Sequence, residues 1–202
     1  MKEAGAAAAQ DINARIAQRV RALRAETGMS LDALAAKCEV SRSMLSLIER
    51  GESSATAVVL EKLATGLGVS LASLFETVES PPNPVSTRSD RTPWRDPATG
   101  YVRTNISPAG YPSPLHIVEV VLPARAKVAY ESGARESGIH QQIWVQEGVL
   151  ELTLGRVTHR LSAGDCLAMQ LNDTTAFRNP TRQPTRYLVV IATERARGVR
   201  KP

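Results

Sequence analysis

The chain has 202 residues, 43% of them hydrophobic and 22% charged, globular rather than disordered values with room for two modest cores. No apolar run approaches the roughly 18 residues of a membrane span, and AGAAAAQ at the amino end is too short and too weakly apolar for a signal segment. The two cysteines, Cys38 and Cys166, lie far apart and give no disulfide framework, so the expected location is the cytoplasm.

The net charge of +5 is unevenly divided. Residues 1–80 hold nine Lys and Arg against ten Asp and Glu, a formal −1, whereas residues 81–202 hold sixteen against ten, +6. In the first half the cations cluster: Arg15, Arg19, Arg21 and Arg24, then Arg42 and Arg50. Clustering of this kind fits docking onto particular phosphates better than a non-specific coat on nucleic acid.

In chain order, residues 1–10 bring little to bury and are expected to fray. Asp11 can cap a first helix with Ile12, Ile16, Val20 and Leu23 on one face, closed by Thr27-Gly28. Ser30 caps a second, carrying Leu31, Leu34 and Ala35 at helical spacing. Cys38-Glu39-Val40 breaks the pattern, and Ser41 caps a third with Met44, Leu45 and Ile48 as its apolar stripe and Gly51 beyond its end. Two short helices across so brief a turn form a helix-turn-helix, whose second helix enters the major groove. Arg42 and Ser43, at the exposed start of that helix, are placed to read bases, arginine being the commonest bidentate partner of guanine. A fourth helix runs from Thr56 through Val59, Leu60, Leu63 and Leu67 to Gly68, and a fifth from Ser70 through Leu71, Leu74 and Phe75.

SRSMLSLIERGES closely resembles the recognition-helix signature S-x-x-x-L-S-x-I-E-x-G of the lambda-repressor-like, or XRE, regulators, and the resemblance runs from about Arg15 to Phe75. It implies an all-α five-helix bundle over 11–76 that binds double-stranded operator DNA. It also implies DNA contacts at Ser30, Ser41, Arg42, Ser43, Ser46, Leu47 and Arg50, with Arg21 on phosphate. By the same resemblance Arg24 and Glu49 form an ion pair that fixes the recognition helix against the first helix. Glu39 departs from the pattern, because family members usually place a left-handed glycine there. A side chain in that conformation costs about 1 kcal/mol.

Residues 77–93 are rich in Pro, Ser and Thr and read as a stiff linker. Beyond Trp94 the period changes to short β-rich runs separated by Gly, Pro, Asn and Asp, which predicts an antiparallel sandwich or barrel over 94–195. VQEGVLELTLG, LSAGDCLAM and FRNP resemble the double-stranded β-helix of the cupin superfamily, anchored at Gly148, Gly164-Asp165 and Asn179. An XRE unit joined to a cupin is an arrangement of bacterial regulators.

Metal-binding cupins carry two histidines and a glutamate in the first motif and one histidine in the second, a ligand set for iron, manganese or zinc. Aligned on Gly148 and Asn179, those positions hold Arg135 and Ser137 (or Ala134 and Glu136), Gln141 and Thr175, so no metal or other cofactor is expected. His116, His140 and His159 lie elsewhere, and His140 should face away from Gln141 by strand alternation. Cys38 and Cys166 read as small buried apolar residues without a thiolate-stabilising neighbour. What remains is a pocket of Arg135, Gln141, Ile143, Met169, Thr175 and Phe177 for a small polar effector, a carboxylated one included.

The sequence therefore reads as a homodimeric transcription regulator that is not an enzyme, with a metabolite-sensing and dimerising cupin-like domain. Two alternatives stand beside it. One is a metal-dependent cupin enzyme with a site rearranged among the three histidines; the other is a constitutive regulator whose cupin only dimerises.

Overall fold

A computed structural model of the chain describes residues 2–75, 83–131 and 138–193. Its helical part is α1 (Lys2–Glu26), α2 (Leu31–Lys37), α3 (Arg42–Glu49), α4 (Ala57–Leu67) and a 3-10 helix, Leu71–Phe75. Two expectations are corrected here. The first helix does not begin at Asp11 but runs from Lys2, because the alanine-rich start has the highest helix propensity of any residue type. The fifth helix is not α-helical: Ser73 N–H bonds back to the Ser70 carbonyl, the tighter i to i+3 pattern suited to a five-residue segment.

The other helix starts follow from their caps. Ser30, Ser41 and Thr56 hydroxyls accept from the Ala33, Met44 and Val59 amides. Glu39 holds φ +52°, the left-handed turn between α2 and α3 made without glycine. Packing then fixes the bundle. Leu34, Leu45, Leu60 and Leu63 are fully buried, and Gly66 of α4 lies so close to Cys38 that an added Cβ would fall 2.2 Å from its Sγ.

The β unit comprises β1 (Trp94–Arg95), β2 (Val102–Asn105), β3 (Leu115–Leu122), β4 (Lys127–Tyr130), β5 (Ile139–Glu147), β6 (Val149–Leu154), β7 (Val157–Ser162), β8 (Cys166–Gln170), β9 (Thr175–Arg178) and β10 (Thr185–Thr193). They form a six-stranded sheet ordered β1-β2-β3-β10-β5-β8 and a four-stranded sheet ordered β4-β9-β6-β7, antiparallel at every pairing. No strand pairing among the described residues joins the two sheets, so the architecture is a two-sheet sandwich rather than a closed barrel. Val118, Val120, Leu122, Ile143, Val189 and Ile191 face Val128, Leu150, Leu152 and Phe177 across the core. Asn179, fully buried, donates to the Leu122, Pro123 and Gln183 carbonyls and accepts from Thr181, pinning the loop before β10.

The outer face of the larger sheet carries an apolar patch beside the ion pairs of Arg186 with Glu119 and Glu147. Ile117, Val121, Leu188 and Val190 are only part-buried there, and Trp144, across from Leu188, is 46% exposed. Antiparallel sheets that face water ordinarily alternate apolar and polar residues. Cys166, opposite Trp144 on the same face, is exposed, which corrects the expectation that both cysteines are buried. It falls on the outward side of the pleat, whereas Cys38 is buried between α2 and α4.

The two units are packed against one another. Trp94 is wedged between the rings of Phe75 and Tyr101, with centroids 5.6 and 5.7 Å away in edge-to-face geometry. Buried Asp96 accepts from the Ala57 amide in the first turn of α4 and from the Thr99 amide, each at 2.9 Å. A single apolar cluster consequently runs from the helical bundle into the sandwich.

Candidate DNA-reading surface and interior cavity

The helix-turn-helix is built by one buried ion pair. Arg24 of α1 grips Glu49 of α3 with two bonds, Nε to Oε1 at 2.7 Å and Nη2 to Oε2 at 2.8 Å, and its Nη1 donates to the Met29 carbonyl. The Glu49 side chain is 8% exposed and that of Arg24 21%. The bond to Glu49 raises the Arg24 pKa, overcoming the opposing effect of burial. Arg21 donates to the Glu49 carbonyl at the end of α3, which satisfies a terminal acceptor and sets a cation at the negative end of the helix. Two arginines of α1 thus fix the direction in which α3 points.

That direction leaves the N-terminal half of α3 exposed. Ser41, Arg42, Ser43, Met44 and Leu47 face solvent, Ser46 is part-buried, and Ser30 is exposed at the head of α2. Arg42 Nε pairs with Asp32 Oδ1 at 2.8 Å, with both side chains about two-thirds or more exposed (66% and 71%). Arg50 clasps Glu52 through Nε and Nη2 and donates to Ser46 Oγ at 2.6 Å. Surface pairs of this kind hold the side chains by roughly 0–1 kcal/mol and open readily when phosphates or base edges compete.

A second feature lies inside the sandwich, against the helical unit: a cavity of about 70 Å³. Of the residues offered for an effector pocket, Gln141, Thr175 and Phe177 line it. Ile143 and Met169 do not; both are buried in the core away from it. Arg135 lies outside the described residues. His140 is exposed and does not line the cavity that Gln141 faces. His116, His140 and His159 fall on β3, β5 and β7, and no group of three or more His, Cys, Asp or Glu side chains placed to hold a metal occurs among the described residues.

The cavity also holds groups that sequence reasoning missed. Tyr101, Tyr130 and Tyr187 line it, the first two with hydroxyls 3.2 Å apart. Burial raises all three tyrosine pKa values, with Arg103 as an opposing influence on each. Arg103 lines the cavity and is only 6% exposed; its Nε and Nη2 are buried with no hydrogen-bond partner, while its guanidinium carbon stacks 5.4 Å from the Phe75 ring centre. The helical unit supplies Glu61, Ser70 and Leu71 to the same wall. YVRTN carried a signal, since its alternation puts Tyr101, just before β2, and Arg103 on one side of the chain, the side that carries Val118, Val120 and Leu122 on the paired strand β3.

An α2-turn-α3 pair with an exposed α3 and a rigid brace behind it defines a helix-turn-helix nucleic-acid reader. A family model described as Helix-turn-helix matches residues 20–74. The HTH-type transcriptional regulator SutR of Escherichia coli (strain K12) is 31% identical over 168 residues, which span 83% of this chain and 89% of SutR. Control protein C.MunI of Mycoplasma sp is 37% identical over 70 residues, 34% of this chain and 95% of that protein. Among solved structures, an HTH_3 family transcriptional regulator from Vibrio cholerae superposes with a TM-score of 0.73 at 26% identity, covering 92% of this chain and 99% of the other. The chain belongs to the helix-turn-helix family of transcriptional regulators, and it is a DNA-binding protein. No helix among the described residues is long and apolar enough to cross a membrane.

Proposed function

We propose that the protein is an XRE-type regulator that reads an operator through α3 as a homodimer, and that its β unit is a cupin-like sensor of a small polar metabolite. The observation that carries the DNA reading is the exposed row Ser41, Arg42, Ser43 and Leu47, with Ser46 part-buried beside it, on a helix whose other face is clamped by Arg21 and Arg24. Arg42 is the base-reading candidate, and Ser30 and Arg50 are placed to reach flanking phosphates. Arg21 serves the fold first, through the Glu49 carbonyl, and meets DNA only with its remaining donors.

The part-buried apolar outer face of the larger sheet supports pairing through the β unit, and one helical unit covers only one half-site. The interior cavity with Gln141 and Thr175 supports sensing. Selection of bound duplexes from a random pool by the full chain tests the DNA reading. A two-fold-related motif is expected, lost in Arg42→Ala, and enrichment of no motif would refute it. Sedimentation of the full chain at micromolar concentration tests the dimer, and a monomer would refute it.

A further inference from the structure

The interior cavity is shared between the two units, and two buried donors of the Arg103 guanidinium at its wall have no acceptor. Arg103 enters it from β2 with Nε and Nη2 unpartnered and 94% of the residue's surface removed from water (6% remains). A buried guanidinium is normally met by a carboxylate or a carbonyl, and its planar fork fits a carboxylate with two parallel bonds. The tyrosine hydroxyls, Gln141 and Thr175 ring the same space with neutral donors and acceptors, while Val120, Val128 and Ile139 supply aliphatic wall.

We infer that this cavity binds a small monocarboxylate through Arg103, and that the bound molecule fastens the helical unit to the β unit; the inference rests on the sensing role proposed above. Size follows from the volume: a space of about 70 Å³ suits a compact ligand of a few carbons. Charge follows from the lining. Glu61 lies on the same wall, its Oε1 accepting from the Thr65 hydroxyl, and it disfavours a second negative charge on the ligand. An apolar body of a few carbons then meets the aliphatic wall.

The coupling is geometric. The Arg103 guanidinium stacks on Phe75 of the 3-10 helix, and Ser70, Leu71 and Glu61 close the cavity from the helical side. A carboxylate that orients Arg103 therefore touches or orders groups on both units at once. The neighbouring Trp94–Phe75 and Asp96–Ala57 contacts make that seam the route by which occupancy reaches α4 and the rest of the DNA-reading bundle.

The test is calorimetric titration of the full chain with isobutyrate, isovalerate and the uncharged isobutyramide. Saturable binding of at least one acid is expected, with the amide at least about tenfold weaker, the value of one charge-assisted bidentate contact. Arg103→Met should lose that preference and bind acid and amide alike, an effect that mere loosening of the fold would not produce. Hydrogen exchange should show slower exchange on 57–75 as well as on 94–105 when the acid is bound. No saturation by either acid, equal affinity for the amide, or an undiminished preference in Arg103→Met would overturn the carboxylate anchor. Protection confined to the β strands would overturn the fastening. Mass spectrometry of the gently purified chain separates the two levels: a different small molecule released on unfolding would leave sensing standing while the carboxylate falls, whereas neither acid binding nor any molecule released would sink both.

Discussion

Asp96, a residue of the β unit, completes the start of helix α4 in the DNA-reading unit by accepting the Ala57 amide proton at 2.9 Å. A carboxylate at that place answers both an orphan amide and the positive end of the helix. Asp96 is 2% exposed and also holds the Thr99 turn, so Asp96→Ala leaves buried amides without partners. A loss of about 1–3 kcal/mol in urea unfolding of the full chain is expected. Asp96→Asn, which keeps one acceptor, should recover part of it.

The brace behind α3 has a separate signature. Glu49→Ala strips Arg24 of its bidentate partner and should cost about 1–3 kcal/mol, below the value for a fully buried pair because Arg24 retains 21% exposure. Arg24→Ala should cost a similar amount, and the double variant less than their sum. A thermal-unfolding cycle measures the coupling; strict additivity would mean that the two charges do not hold each other.

Gly66→Ala would set a methyl 2.2 Å from Cys38 Sγ, and the buried helices around it have little room to yield. The expected destabilisation is about 1–3 kcal/mol. Replacing the obstructing sulfur in the same chain, Cys38→Ala with Gly66→Ala, should restore most of it, with both variants followed by urea unfolding.

Alkaline pH acts through the same thiol. Burial pushes the Cys38 pKa up from 9.0 to about 11, so between those values the unfolded chain releases a proton that the folded chain keeps. Stability contributed by this group is therefore complete below pH 9 and declines as pH rises through 9 to 11. Tyr101, Tyr130 and Tyr187, also raised by burial, add to the decline above their ordinary value of 10. Urea midpoints measured across pH 8–11 should be flat at first and then fall. At pH 8 a thiol reagent should label exposed Cys166 rapidly and Cys38 only on unfolding.

At the DNA, Arg42→Ala is expected to lose about 1–3 kcal/mol on its operator and much less on scrambled duplex. Equal losses on the two would remove Arg42 from base reading. Arg21→Ala should weaken both duplexes alike and also lower the melting temperature, because its bond to the Glu49 carbonyl is lost with it.

The helical unit was readable because its signals are local: capping serines and threonine, apolar residues at 3.6-residue spacing, and a turn at Glu39 whose left-handed backbone follows from the motif alone. The strands were readable from alternation, except for the two-residue β1, too short to alternate. What could not be read was contact between distant segments. A stretch taken as a spacer over 77–93 says nothing of the fact that Trp94, immediately after it, inserts between Phe75 and Tyr101. Nor does the chain announce that Arg103 is buried with Phe75 over its guanidinium, because an arginine on a half-polar strand reads as solvated until the other unit covers it. Gln141 and Thr175 were offered from motif register and line the cavity with Phe177, whereas Ile143 and Met169, offered like Phe177 as apolar wall, are buried and do not line it.

The Arg42–Asp32 pair bears on how an operator is found among very many other sequences. Asp32 stands exposed beside Arg42, the arginine proposed to read bases, in a chain whose first 80 residues carry a formal −1. With Arg42 in the base-reading role proposed above, the phosphates of any duplex can draw it from Asp32 at a cost of no more than about 1 kcal/mol, so the carboxylate lowers non-specific affinity only modestly. Under that proposal the small cost is repaid only where a bidentate base contact of about 1–3 kcal/mol forms, so the pair tilts the balance toward the operator.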